Sequence, residues 1–139
     1  MGIQLIRQMW GSLQEPRVIT ALQTLLYVLV GLAGAGILLW TPSSIEGTSG
    51  LTLTIVWGWF AVLGGALGAF ATPGGRWFLE RPAIYMCGTA VAFYLGLVAY
   101  LQFTAEGNRL VQMAFIAIAG LALAIRFERI KDFDYEPGK

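Results

Sequence analysis

Histidine is absent from this 139-residue chain, cysteine occurs once, and only 12% of the residues are charged. The first absence excludes histidine-ligated haem and histidine-based metal sites. A single cysteine, Cys87, excludes an internal disulfide and a CxxC redox pair. The shortage of charge excludes more. A soluble domain carries about a quarter of its residues as Asp, Glu, Lys or Arg, whereas here 57% are hydrophobic and the mean hydropathy is +0.68. The composition is that of an integral membrane protein. With no acid pair in the apolar runs and no base beside Cys87, general acid–base and nucleophilic catalysis lack their usual groups. An enzyme is not expected, and no catalytic residue, cofactor or metal ligand is assigned.

What the chain does have is four long uncharged runs, residues 18–40, 51–71, 83–103 and 110–125. A helix needs roughly 20 apolar residues to cross a hydrocarbon core of about 30 Å. The fourth run is short, but Arg109 and Arg126 at its ends can snorkel and the bilayer can thin locally. The connecting segments are short, so the expected fold is all-α: four transmembrane helices in an up-and-down antiparallel bundle, one domain covering 1–139. Pro82 suits the first position of the third helix, behind a stiff hairpin, TPGGRWFLERP, with Trp77 and Phe78 at headgroup depth.

The nine Lys and Arg residues divide unevenly between the two sides of such a bundle. Arg7, Arg17, Arg76, Arg81, Arg126, Arg129, Lys131 and Lys139 share the side of the two termini and the second loop, and Arg109 alone occupies the other. The positive-inside rule therefore places both termini in the cytoplasm. Ala33-Gly34-Ala35 resembles a signal-peptide cleavage site, but the apolar run continues to Trp40 and follows 17 residues, so a removable signal is not expected.

Residues 3–14 set Leu5, Ile6, Met9, Trp10 and Leu13 on one helical face, which predicts an amphipathic helix lying in the interface, with Pro16 turning the chain into the first span. Trp10, Arg17, Arg76, Trp77, Arg81 and Arg126 are the candidate interfacial and headgroup-contacting residues. Residues 126–139 form a charged cytoplasmic tail in which Phe127, Ile130 and Phe133 recur at helical spacing, so the last helix can run on. Its Asp132, Asp134 and Glu136 suit a basic cytoplasmic partner, although solvation is the commoner role of such a run.

An ionisable residue inside a span is the usual mark of a proton relay or ion path, and the four runs contain none. Their more polar residues, such as Gln23, Thr54, Thr89 and Gln112, lie toward helix ends, while the surroundings of Leu29, Ala61, Phe93 and Ile118 are apolar. This argues against a constitutive pore through a monomer and against a carboxylate-dependent small multidrug exporter. Small residues recur at helical spacing instead: Gly58, Ala61, Gly65 and Gly68, with Gly64 crossing, in the second span; Gly88, Ala92 and Gly96 in the third; Gly120 in the fourth. Close helix approach in lipid depends on such residues. Packing within one bundle is the expected use in spans two and three, and any surplus stripe would serve homo-oligomers. Trp57, Trp59 and Phe60 are expected to fill space opposite glycines.

MWGSLQEPRVITALQTLLYV near the start and TAEGNRLVQ before the fourth run resemble small four-span membrane proteins of tailed phages that infect actinobacteria. The likeness covers about half of the chain. Such proteins are similar to holins in size, hydrophobicity, charged tail and lack of catalytic motifs, although the commonest holins have one to three spans. The resemblance implies a homo-oligomer in the bacterial inner membrane that permeabilises it during host lysis. It carries over no functional residue. A non-enzymatic interaction protein, for superinfection exclusion or membrane assembly, is the alternative; a small channel or transporter comes third. The lipid bilayer is the expected partner, and nucleic acid is not.

Overall fold

A computed structural model describes residues 2–4, 17–41, 43, 47 and 50–132. Of the expected interfacial helix, only Ile3 and Gln4 are described, both helical; Trp10 and the tail from Phe133 onward lie outside the described residues. Among the described residues the regular structure is all helix, with four helices each long and apolar enough to cross a membrane. They are α1 (Arg17–Leu39), α2 (Leu51–Ala71), α3 (Trp77–Thr104) and α4 (Leu110–Ile130).

One boundary differs from the sequence expectation, and another lies where the helical spacing of Phe127 and Ile130 allows the last helix to run on. α3 begins at Trp77 instead of Ala83, so Pro82 lies inside the helix, not at its first position. The added segment is about one and a half turns. Pro82 is the sixth residue of the helix, past the first four whose N–H groups have no intrahelical acceptor, so it removes the one ladder donor that would reach Phe78 O; at the helix start Arg76 O accepts from both Leu79 N and Glu80 N. The hairpin is correspondingly shorter. Thr72 O accepts from Gly75 N and Ala71 O from Arg76 N, with Gly75 at φ +62°, a conformation that a side chain would oppose. α4 continues through Arg126 to Ile130, five residues beyond the uncharged run. In both cases a tertiary contact, described below, stabilises helix that the hydropathy does not demand. The helices therefore do carry charge: Arg17 at the start of α1, Glu80 and Arg81 in α3, and Arg126, Glu128 and Arg129 in α4.

Each helix packs on its neighbour in the chain, α1 on α2, α2 on α3 and α3 on α4. The α1–α2 contact is the tightest, and glycine makes it so. A Cβ on Gly65 would lie 2.6 Å from Gly31 Cα, and one on Gly34 would lie 2.6 Å from Ala61 Cβ, so the two backbones touch where a side chain would hold them apart. One turn further, Gly68 leaves room for the Tyr27 ring. Gly64 turns toward α3, where Cys87 and Met86 close over it. Tyr27, Ala83, Ile84, Cys87, Leu123 and Ile130 form the core at this end of the bundle, and Trp57, Ala61 and Ala90 form it toward the other. α4 contributes Leu123, Arg126 and Ile130 as its buried residues, all in its C-terminal half.

Candidate functional site

The site grows from residues that an apolar bundle has least reason to bury. Glu80 is the sole acidic residue between Glu46 and Glu106, and the fourth turn-forming residue of α3. It is 0% exposed, and Arg126, arriving from the last turns of α4, is 3% exposed. Arg126 Nε donates to Glu80 Oε1 at 2.6 Å and Nη2 donates to Oε2 at 2.9 Å, a two-pronged pairing that uses the planar fork of the guanidinium. Tyr27, fully buried in α1, donates its hydroxyl to the same Oε1 at 3.2 Å. One carboxylate thereby joins three helices. A buried charge left alone is strongly destabilising, whereas a paired and hydrogen-bonded one is tolerated, so the three side chains hold the first turn of α3 and the last turns of α4 to the middle of α1.

Arg81, next to Glu80, points elsewhere. Its Nη2 donates to Ile130 O at 3.2 Å and to Lys131 O at 2.8 Å, satisfying carbonyls that the end of α4 leaves open. Lys131 pairs with exposed Glu128, whose neighbouring carboxylate raises the ammonium pKa above its usual value. Tyr85 meets Phe127 edge-on at 5.5 Å, so α3 and α4 are joined by aromatic as well as polar contacts.

The candidate interfacial residues thus separate. Arg126 is consumed in the interior and Arg81 caps a helix. Arg76 is exposed with its guanidinium 4.8 Å from the Phe70 ring centre, and Trp77 packs at the edge of the core. Arg17 begins α1.

The small residues separate as well. Gly58, Ala61, Gly65 and Gly68 are all buried, and their stripe is the seat of α1. The α3 stripe departs from its expected use. A Cβ at Gly88 or Gly96 would meet nothing within 4 Å, and Ala92 between them is exposed. The physical reason is angular: α3 already offers Ala83, Cys87 and Ala90 to the core, and the stripe of Gly88, Ala92 and Gly96 occupies another side of the helix. Gly120 is half-buried with Val91 Cγ1 3.5 Å from the place its Cβ would take. Gly88, Ala92, Gly120 and Ala124 instead line an open groove of about 370 Å³ between α3 and α4.

Trp57 fills interior space as expected, 6% exposed and stacked on Tyr94 with ring centres 5.2 Å apart. Trp59 and Phe60 do not; both are exposed, because neither lies on the face of α2 that meets its neighbours. Below Trp57 is a cavity of about 330 Å³ whose lining comes from all four helices and is almost wholly apolar. Leu29 of α1 and Phe115 of α4 lie on its wall and are exposed, so it opens between those two helices. A second hollow, lined by Gln23, Leu26, Ile125, Arg126 and Arg129 among others, continues along the same α1–α4 seam.

Sequence reasoning placed Glu80 in a loop and Arg126 at the headgroups, and so missed their pairing. Three signals pointed to it: the isolation of Glu80 among acidic residues, Arg126 as the first charge after an uncharged run, and Tyr27 within an otherwise apolar part of α1. Among the described residues, no group of three His, Cys, Asp or Glu is placed to hold a metal. Comparison of the chain with protein-family models, with curated proteins and with solved structures finds no match in any of the three.

Proposed function

We propose that this chain is a holin-like protein of the bacterial inner membrane, oriented with both termini in the cytoplasm, whose four antiparallel spans associate laterally and permeabilise the membrane during host lysis. The observation that carries the reading is the unused small-residue face of α3. A Cβ at Gly88 or Gly96 would have open space around it, Ala92 and Gly96 are exposed, and the groove that Gly88 and Ala92 share with α4 is not closed by that helix; in lipid such a face favours close approach by another helix. The α2 stripe is committed to α1, so folding and association draw on different residues. The interior ion pair is neutral as a unit and the central cavity is apolar, which supports a bundle that is closed to ions as a monomer and permeabilises only as an array. The unequal division of basic residues supports the orientation, and the contacts of Tyr27 with Gly68 and of Gly34 with Ala61, running in opposite senses along α1 and α2, support the antiparallel arrangement.

Membrane potential and viability are the decisive readouts, followed during graded, inducible expression in a bacterial host with a non-toxic four-span protein as control. Abrupt depolarisation above a threshold level is the expected result. An intact potential at high, verified membrane levels would overturn the reading and favour a non-enzymatic interaction protein.

A further inference from the structure

The seam between α1 and α4 has an unusual distribution of polarity. At one end Gln23 and Arg129 face a common hollow. The Gln23 amide nitrogen is buried and makes no hydrogen bond of good geometry among the described residues; its polar neighbour one turn on, the Tyr27 hydroxyl, donates to Glu80. Arg129 is exposed and forms no ion pair there, since Glu80 is occupied by Arg126. A buried amide donor and an exposed cation, neither of them in a hydrogen bond or ion pair of good geometry among the described residues, suit one anion. From that end the hollow leads, through Leu26, which lines both spaces, into the apolar cavity walled by Leu29, Ala61, Val91, Phe115 and Ala119.

The dimensions match one class of molecule. From Arg129 to Phe115 is fourteen residues of α4, about 21 Å at 1.5 Å per residue, which is close to half of the roughly 40–45 Å that a bilayer spans with its headgroups. The cavity, at about 330 Å³, lies within the roughly 300–1,000 Å³ usual for small-molecule sites. A free phosphate would satisfy the polar end and leave the apolar one empty; a neutral lipid would do the reverse.

We propose that the α1–α4 seam is a binding site for one acidic phospholipid, with its phosphate at Gln23 and Arg129 and an acyl chain in the central cavity. The site is independent of the proposed lytic function. It also explains why the N-terminal half of α4 contributes no buried residue among those described: the lipid chain would take the place of protein between α4 and α1.

The full chain in detergent, exposed to an equimolar mixture of dioleoyl phosphatidylglycerol and dioleoyl phosphatidylcholine and examined by native mass spectrometry, tests this. The expected result is one retained lipid, with the glycerol headgroup favoured about fivefold, the factor for roughly one basic residue acting on an anionic headgroup. Arg129→Gln should bring the two lipids to parity. Ala119→Phe should reduce retention of both, and millimolar inorganic phosphate should displace neither. Equal retention of the two lipids by the unmodified chain, a preference that survives Arg129→Gln, or loss of the lipid to inorganic phosphate would each overturn the proposal. Because Arg129 is exposed, its substitution leaves the fold intact and decides the matter even if Ala119→Phe unfolds.

Discussion

Arg126 reaches across from α4 to hold both carboxylate oxygens of Glu80, at 2.6 and 2.9 Å, in a place where neither side chain keeps appreciable exposure. Such a pair is worth little against an apolar replacement yet costs a great deal to halve. Glu80→Leu or Arg126→Met alone should lower stability by about 3–5 kcal/mol, whereas the double variant should recover most of that loss. Unfolding by sodium dodecyl sulfate, followed by circular dichroism, gives the comparison. A double variant no more stable than the weaker single would show that the two residues do not act as a unit.

Tyr27 does two separable things: its ring occupies the space above Gly68 and its hydroxyl reaches Glu80. Tyr27→Phe keeps the ring and should cost about 1.5 kcal/mol, the lower end for a hydrogen bond to a charged group. Gly68→Ala keeps the hydroxyl but forces the ring to move and should cost about 1–3 kcal/mol by overpacking. The phenyl ring of the first variant still fills the space, so the double variant should lose about the sum. If Tyr27→Phe rescued Gly68→Ala, the ring would not be what Gly68 accommodates.

The four helices were legible because each is a long run of apolar residues, and hydropathy responds to length and composition, which is all that a span requires. One end was not. α3 reaches back to Trp77 because Glu80 finds Arg126, a partner some fifty residues away in sequence and beyond any local pattern, whereas the run of α4 on to Ile130, whose carbonyl Arg81 caps, was signalled by the spacing of Phe127 and Ile130. Glycine spacing marked the α2 stripe, but the same spacing in α3 marked a face that the bundle leaves open. A period identifies the residues that share a face without saying which neighbour meets it. The α1–α4 seam was wholly hidden, since it arises from a contact that the first and last helices do not make closely.

The division between the two stripes leads to opposite outcomes for one type of substitution. Gly65→Leu places a side chain where Gly31 already lies 2.6 Å away, so it should destabilise the monomer itself, by more than the roughly 1–3 kcal/mol of ordinary overpacking. Gly96→Leu and Gly88→Leu meet open space and should leave monomer stability unchanged while lowering the cross-linked oligomer yield and raising the expression level at which depolarisation begins. Equal oligomer yield from Gly96→Leu, Gly88→Leu and the unmodified chain would remove the α3 face from the assembly.

Arg81 lets the polar end of the bundle be tested apart from the ion pair beside it. The last four carbonyls of a helix have no partner within it, and Arg81 Nη2 donates to two acceptors at this end, Ile130 O and Lys131 O. Arg81→Ala should therefore loosen the final turn of α4. A lost hydrogen bond of about 0.5–1.5 kcal/mol corresponds to faster amide hydrogen exchange over residues 127–131 by up to about tenfold, because exchange follows local opening. Exchange around Leu123, which is buried one to two turns earlier, should stay as it was, as should the resistance to detergent that depends on Glu80 and Arg126. Were the whole of α4 to exchange faster, Arg81 would be holding the helix to α3 and not merely closing its end. No change at all would mean that solvent satisfies those carbonyls as well as the guanidinium does.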